Sequence, residues 1–323
     1  MERFKVGIIG AGHIARKMAH TLRDMEGVEP YAVASRNQEN AEGFACEWGF
    51  TRAYGSYEDL ADDPEVQLIY IATPHSHHFE QARMCLEKGK PVLCEKAFTA
   101  NAEQAETLIR LSKEKQVFLT EAIWTRYMPF SETLRELVDG GTIGRVMMLT
   151  ANIGYPIAEK ERIAKLCGGA LLDIGVYPIN FARMLFGSEI TGITSACVKG
   201  ETGVDLQSSI TFVYRNHRMA VLQMTAFCAN DRQGVISGDK GYIIVDNINN
   251  PQLAVVYSVN HEEVARYTCP PQITGFEYQV QASIDAIREG KIETPCMPHA
   301  ETLHIMQMLD DLRSEWGVRY PMD

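Results

Sequence analysis

Gly10, Gly12 and Ala15 stand in the spacing G-x-G-x-x-A within GIIGAGHIA. That spacing can hold a phosphate without a charged side chain. Gly10 permits a tight turn, Gly12 lets a pyrophosphate approach the backbone, and Ala15 keeps the following helix close to the preceding strand. The first N–H groups of that helix, at its positive dipole end, would face the phosphates. Gly10, Gly12, His13, Ile14 and Ala15 are therefore the expected dinucleotide turn. The flanking residues agree, because 4–9 is short and apolar with branched residues at Val6, Ile8 and Ile9, and 14–25 reads as a helix. The competing reading is an ordinary glycine-rich turn.

In a fold selective for NAD, an Asp or Glu ends the second strand, about 20 residues beyond such glycines. Here that strand ends AVASRN, and Ser35 and Arg36 take the place. A hydroxyl and a guanidinium bind a 2′-phosphate that a carboxylate would repel. NADP is the expected cofactor, with NAD possible. Arg36 could instead stack on the adenine or sit in solvent. Further on, Thr73, Pro74 and His75 end a strand on the side that faces a ligand crevice in such sheets. The run HSHH, 75–78, raises a metal-dependent hydrolase as a third reading, but no acidic ligand follows at a standard spacing. His75 and His78 are read as lining the nicotinamide pocket and capping the next helix, with no metal.

These residues need a scaffold that brings strand ends to one edge. Strands are expected at 4–9, 28–34, 66–72, 91–94 and 117–120, with helices at 37–48, 77–88 and 101–115 between them. Ser56 with Asp59 and Asn101 with Gln104 have the spacing of helix N-terminal caps. The run 66–72, VQLIYIA, is apolar throughout, as suits a strand covered on both faces. About six strands alternating with helices make a doubly wound parallel Rossmann sheet. Beyond Ala122 the rhythm changes. Strands at 145–152, 190–199, 208–214, 219–226, 241–246 and 253–258 follow with few helices between them, which favours a mostly antiparallel sheet. Helices are expected at 170–186, 277–289 and 299–316. The expected domains are 1–122 for the dinucleotide and an α+β domain, 123–323, for substrate and dimerisation, with the C-terminal helix packing back on the first.

Of the 323 residues, 46% are hydrophobic and 23% charged, which suits a packed globular protein of about two domains. A net charge of −11 argues against nucleic acid and against an anionic membrane surface as partners. No apolar run reaches the ~18 residues of a membrane helix, and the N-terminus enters a strand at once, leaving no room for a signal peptide. The eight cysteines are scattered without a C-x-x-C pair and read as reduced thiols of a cytoplasmic protein.

Four segments, GIIGAGHIA, ATPHSHH, CEKA and GGALLDIGVYPINF, occur in that order. In them the chain resembles the Gfo/Idh/MocA oxidoreductases, and with EAIWTRYMPF and the tyrosine of DIGVY it is most similar to the dimeric dihydrodiol dehydrogenases and NADP-dependent D-xylose dehydrogenases. The resemblance implies hydride transfer between a nicotinamide and a hydroxyl or carbonyl of a sugar, polyol or trans-dihydrodiol, by a homodimer acting on a small polyhydroxy substrate. It places the catalytic lysine at Lys96, the aspartate at Asp173 and the tyrosine at Tyr177, with Glu95 beside the cofactor. Trp124, Ile174 and Phe276 fall on substrate-pocket positions. Physical chemistry is consistent with these roles. Asp173 and Tyr177 are i and i+4 on one helix face, and Pro178 should kink or restart that helix. A nearby ammonium favours the phenolate of a tyrosine, which can then exchange a proton with the substrate hydroxyl. Core packing remains the alternative for Tyr177, Trp124, Ile174 and Phe276, and a surface charge for Lys96. Two positions depart from the family: Ala97 replaces a proline, and Asn40 stands where the NADP enzymes carry a second basic residue. A non-catalytic, cofactor-binding regulator of the same fold is the alternative function.

Overall fold

A short apolar strand, β1 (Phe4–Ile9), starts the chain, with only Lys5 of its six residues reaching solvent. The structure, a computed structural model, describes residues 3–160, 163 and 168–320. After β1 come α1 (His13–Asp24), β2 (Val28–Ala34), α2 (Gln38–Trp48), β3 (Arg52–Tyr54), α3 (Tyr57–Asp62), β4 (Leu68–Ile71), α4 (His75–Glu87), β5 (Val92–Glu95), α5 (Ala102–Lys115) and β6 (Leu119–Ala122). The six strands are parallel and lie in the order β3-β2-β1-β4-β5-β6. Strand order reverses between β1 and β4, and a ligand crevice opens at such a switch point. Every residue of β4 is buried, as a strand covered on both faces requires. The sixth strand, β3, has only three residues and an exposed Arg52, too little pattern to read from sequence.

The helices of this sheet begin in two ways. Asn37 Oδ1 accepts the Asn40 N–H at 3.3 Å, Ser56 Oγ accepts that of Asp59 at 3.1 Å, and Asn101 Oδ1 accepts that of Gln104 at 3.0 Å. The Gln104 side chain reaches back to the Ala100 N–H at 3.2 Å, so the caps expected at Ser56 and Asn101 form. By contrast α1 and α4, which flank the switch point, have no side-chain cap.

A second sheet follows α6 (Pro129–Asp139). Its strands are β7 (Val146–Gly154), β8 (Ile190–Lys199), β9 (Asp205–Tyr214), β10 (Met219–Thr225), β11 (Gly234–Gly238), β12 (Gly241–Val245), β13 (Leu253–Ser258) and β14 (Glu263–Thr268). They lie in the order β14-β13-β12-β11-β7-β10-β9-β8, and only β7 and β10 run parallel. Between β7 and β8, a π-helical turn (Leu171–Gly175) continues as α7 (Val176–Phe186) and packs on β7 and β10. Leu149, Ala151 and Ile153 of β7 are buried in register with Ala220, Leu222 and Met224 of β10.

Residues 272–323 contain α8 (Glu277–Arg288) and α9 (His299–Trp316). The chain divides into two compact units, Met1–Tyr127 with Gln272–Met308, and Met128–Pro271 with Leu309–Asp323. Domains at 1–122 and 123–323 are expected from sequence, with the C-terminal helix packing back on the first; the first compact unit runs to Tyr127 and also takes in Gln272–Met308. There Leu119 of β6 donates its N–H to Ile292 O at 2.9 Å, and α8 packs on the 3₁₀ turn Trp124–Tyr127.

Candidate active site

In the first unit, the expected cofactor residues gather at the carboxyl edge of the sheet. Gly10 has φ +104°, and an ideal Cβ on it would lie 2.9 Å from Ala72 O, so the turn after β1 closes against the end of β4. A Cβ on Gly12 would meet nothing within 4 Å. The first turn of α1 holds no acidic residue. Open space, uncapped N–H groups and no opposing charge fit a pyrophosphate. Ile14 is half-buried, His13 exposed and Ala15 fully buried against the sheet. At the end of β2, the Ser35 N–H donates to Tyr54 O at 3.1 Å, and Arg36 is exposed. Burial raises the Tyr57 phenol, and the Arg36 guanidinium opposes that rise, which places Arg36 near α3.

Helix α4 begins at His75, two residues before the expected start, so 75–78 form its first turn after Pro74. His78 is wholly buried, with Nδ1 2.9 Å from Ala97 O and Nε2 2.8 Å from Thr73 O. Burial pushes its pKa down to about 4, so the ring is neutral near pH 7 and donates to one carbonyl at a time. The ring ties the end of β4 to the turn after β5. Among the described residues no three His, Cys, Asp or Glu side chains group to hold a metal. Thr73 donates its hydroxyl to Gln81 Oε1 at 2.6 Å. The Glu95 carboxylate accepts the Tyr70 hydroxyl and, at 3.2 Å, the Lys96 N–H. Burial raises its pKa, and the Lys96 and Lys17 charges work against the rise. Lys96 is half-buried, and the Lys96–Ala97 peptide is cis.

Trp124 and Phe276 meet with ring centroids 5.0 Å apart. The Lys17 ammonium of α1 lies 4.3 Å from the Trp124 centroid and 4.0 Å from that of Phe276. A cation over aromatic faces is stabilising by about 0.5–2 kcal/mol, more as it is desolvated. Gly275, at φ +88°, makes room for Trp124, since a Cβ there would fall 2.5 Å from its ring. The Glu277 carboxylate accepts the N–H groups of Ile273, Thr274 and Gly275 at 2.6, 3.1 and 2.7 Å and so holds this loop.

In the second unit, Asp173, Ile174 and Tyr177 share one helix and are all buried. Asp173 and Ile174 lie in the π turn, where the Val176 N–H reaches back five residues to Leu171 O. The α-helix restarts at Val176 with Pro178 in its first turn, where a proline is tolerated. Gly175 allows close packing, because a Cβ there would lie 2.6 Å from Met224 Sδ. Ile174 is thus in a different unit from the Trp124–Phe276 pair.

Residues 4–123 match the Gfo/Idh/MocA oxidoreductase family, NAD-binding Rossmann fold, and 131–244 match the family's C-terminal domain. A trans-1,2-dihydrobenzene-1,2-diol dehydrogenase of Xenopus tropicalis is 34% identical over 98% of this chain and 99% of its own. The chain belongs to the Gfo/Idh/MocA family. A D-xylose 1-dehydrogenase (NADP(+)) of Hypocrea jecorina is 31% identical over 98% of this chain and 93% of its own. The crystal structure of a 3-ketoreductase from Actinomadura kijaniata with NADP and TDP-benzene has the same fold, with TM-score 0.88, 23% identity and coverage of 97% of this chain and 98% of that one. This Gfo/Idh/MocA protein is an NAD(P)-dependent oxidoreductase, and its first unit supplies the dinucleotide fold. No helix among its described residues is long and apolar enough to cross a membrane.

Lys17, Glu121, Asp205 and Glu277 escaped the sequence reading, because each acts on residues distant in the chain or on backbone amides. Glu121 of β6 is fully buried, and its Oε2 has no hydrogen-bond partner. Burial pushes its carboxyl from 4.5 up to about 7, with Glu95 adding to the rise and Thr302 and Arg126 opposing it. A carboxyl raised on folding binds its proton more tightly in the folded state. Its contribution to stability is complete below about pH 4.5 and is lost as pH climbs to about 7. Glu121→Gln mimics the protonated form. Urea unfolding should show the variant matching the wild type in acid and exceeding it above neutrality. The same pH slope in both proteins would refute this.

Proposed function

We propose that this protein is an NADP-preferring dehydrogenase or reductase acting on a CH–OH group of a sugar, polyol or trans-dihydrodiol; a sugar and a trans-dihydrodiol are named for its relatives. The observation that carries the reading is the carboxyl edge of the first sheet, where an uncapped α1 follows G-x-G-x-x-A and β2 ends in Ser35 and Arg36 with no acid. In this proposal the first unit binds the dinucleotide through Gly10, Gly12, His13, Ile14, Ala15, Ser35, Arg36, Thr73, Pro74, His75, Glu95 and Lys96, while His78, expected to line the pocket, is buried with both ring nitrogens on backbone carbonyls and supports the turn from behind. The second unit binds substrate and forms a dimer. Thiols that stay reduced suit a cytoplasmic protein, and no disulfide joins the described cysteines.

A nicotinamide dinucleotide held at this edge would supply the hydride acceptor for oxidation and the hydride donor for reduction. In oxidation, Tyr177 Oη takes the hydroxyl proton as the carbon gives up its hydride, and in reduction it returns the proton. The Lys96 ammonium donates to the reacting oxygen and stabilises its developing negative charge. Asp173 orients a second substrate hydroxyl or Lys96. Trp124, Ile174 and Phe276 contact the substrate's apolar faces.

Dimerisation is supported by the open face of the second sheet. Met148, Val213 and Met219 stand in register there, with Val198 on the same face, and they are 41%, 38%, 40% and 51% exposed in the order Met148, Val213, Met219, Val198. Light scattering at micromolar concentration should give twice the 36.2 kDa chain mass. The monomer mass would remove the dimer from the proposal.

Arg36 should contribute charge-assisted hydrogen bonds to a 2′-phosphate, worth roughly 1.5–3 kcal/mol. Arg36→Ala should weaken NADP binding about tenfold or more and leave NAD nearly unchanged in a fluorescence titration. Equal losses for both cofactors would reduce Arg36 to an adenine contact, and tighter NAD binding by the wild type would overturn the preference.

With D-xylose or trans-1,2-dihydrobenzene-1,2-diol and NADP, Tyr177→Phe should lower kcat by about 10² to 10⁴ while NADP affinity holds. Lys96→Met should do similar damage, and the double variant should be little worse than either, because groups serving one substrate act as a unit. If Tyr177→Phe cost less than about threefold in kcat, the proton would have another carrier.

A further inference from the structure

The helix that carries Asp173 and Tyr177 is not capped by a side chain near its own start. Ala170, already helical at φ −69° and ψ −34°, has no side-chain oxygen to offer. The acceptor comes instead from β9, where Asp205 Oδ2 takes the Leu171 N–H at 2.6 Å, 34 residues along the chain. The Ala170 amide also bonds to this carboxylate. Gly169 has φ +88°, and a Cβ on it would lie 2.2 Å from Asp205 Oδ1. The backbone therefore wraps the carboxylate at the one place where a side chain would collide with it. Just before, the Gly168 carbonyl accepts the Tyr320 hydroxyl. The Arg313 guanidinium lies 4.4 Å from the Tyr320 ring centroid, donates to Asp310 Oδ1 at 2.6 Å, and faces the charge of Asp205. A strand and the end of the chain thus meet at residues 168–171.

Stability alone does not account for an aspartate here. Asp205 is fully buried, and its Oδ1 has no hydrogen-bond partner. Burial pushes its carboxyl from 3.8 up to about 6, against the backbone amides of Leu171, Asp205 and Ala170 and the charge of Arg313, so the ionised form is costly. An asparagine of the same shape would carry no such cost. What the carboxylate adds is a short charge-assisted bond that fixes the Leu171 amide. Leu171 opens the π turn that holds Asp173, and Tyr177 follows in the first turn of α7. A shift of the capped amide moves both functional side chains, because the turn between them is continuous helix.

We propose that Asp205 is a positioning residue which, with Tyr320, fixes the start of the 171–186 helix and so sets where Asp173 and Tyr177 are presented for the reaction. This rests on the catalytic reading of those two residues given above. The test uses the full chain with Asp205→Asn, and Tyr320→Phe as a second variant that keeps its ring on Arg313. At neutral pH, amide exchange in the 168–177 peptide should rise about fivefold or more in Asp205→Asn, while exchange in β7 and β10 holds. The melting temperature should stay level or rise. With D-xylose or the dihydrodiol, kcat should fall about tenfold or more, with NADP affinity unchanged. Tyr320→Phe should show the same local pattern at smaller size.

Unchanged exchange at 168–177 would overturn the proposal. So would a lower melting temperature with exchange raised throughout the second sheet, since that is a merely structural role. So would full kcat beside raised local exchange. Failure of the catalytic reading itself is seen separately, as full activity in Tyr177→Phe, and the exchange measurement decides the capping role without reference to activity.

Discussion

The first four N–H groups of an α-helix point past its end and have no partner within it. Each must find a side chain, water or a ligand, and that demand organises the functional parts of this protein. Asn37, Ser56 and Asn101 close the starts of α2, α3 and α5. The helices at the switch point, α1 and α4, have no side-chain cap, so their amides face the crevice as donors. In the second unit the amides of the 171–186 helix are met from β9 by Asp205. The first arrangement leaves donors for a dinucleotide, and the second fixes a helix that carries Asp173 and Tyr177.

Caps made by neighbours are legible in sequence, and caps made across the fold are not. Asn101 and Gln104 are three residues apart, and their reciprocal bonds form much as the spacing implies, with Gln104 reaching Ala100. Strands 28–34, 190–199 and 253–258 and the helix 299–316 coincide with their expected bounds, because an apolar or alternating pattern marks the strands and a 3.6-residue apolar repeat marks the helix. The strand β11, GVISG, begins and ends in glycine, and β14, EVARYT, is an edge strand with a largely exposed, charged pattern. Neither carries the signal of a buried strand. Helix α6 opens on Pro129 straight after the 3₁₀ turn and was hidden by it. The π turn depends on a five-residue hydrogen bond and on the fit of Gly175 to Met224, and these are tertiary facts.

Three buried carboxyls, Glu95, Glu121 and Asp205, have pKa values raised by burial. Each is a cost that a neutral side chain would avoid, and two of them stand at the carboxyl ends of adjacent strands. Cys94 is in register with Glu121, which brings Glu95 and Glu121 close enough for the charge of one to raise the pKa of the other. A stability optimum would not place two acids there. The edge of the sheet is therefore better understood as a polar surface kept for orientation. Glu95 holds the Lys96 amide and the Tyr70 hydroxyl, and Glu121 is engaged by Thr302 and Arg126.

Helix α1 joins two parts of the first unit that sequence distance separates. His13 begins it beside the glycine turn, and Lys17 and Thr21 follow at four-residue intervals along one side. At about 1.5 Å of rise per residue, Lys17 stands about 6 Å along the axis from the phosphate turn. Its ammonium rests on Trp124 and Phe276, and the Thr21 hydroxyl is 2.6 Å from that of Thr274 in the loop that Glu277 holds. The aromatic wall is therefore referenced to the dinucleotide turn through a single rigid helix rather than through a flexible loop. A lysine suits the middle contact because its long apolar stem spans the gap while the ammonium meets both ring faces. Methionine could fill the same volume but would leave the rings without a cation and Glu95 and Glu277 without its opposing charge. The same helix thus presents amides to an anion at its start and a cation to an aromatic pair one turn later, and a change in its tilt would move both together.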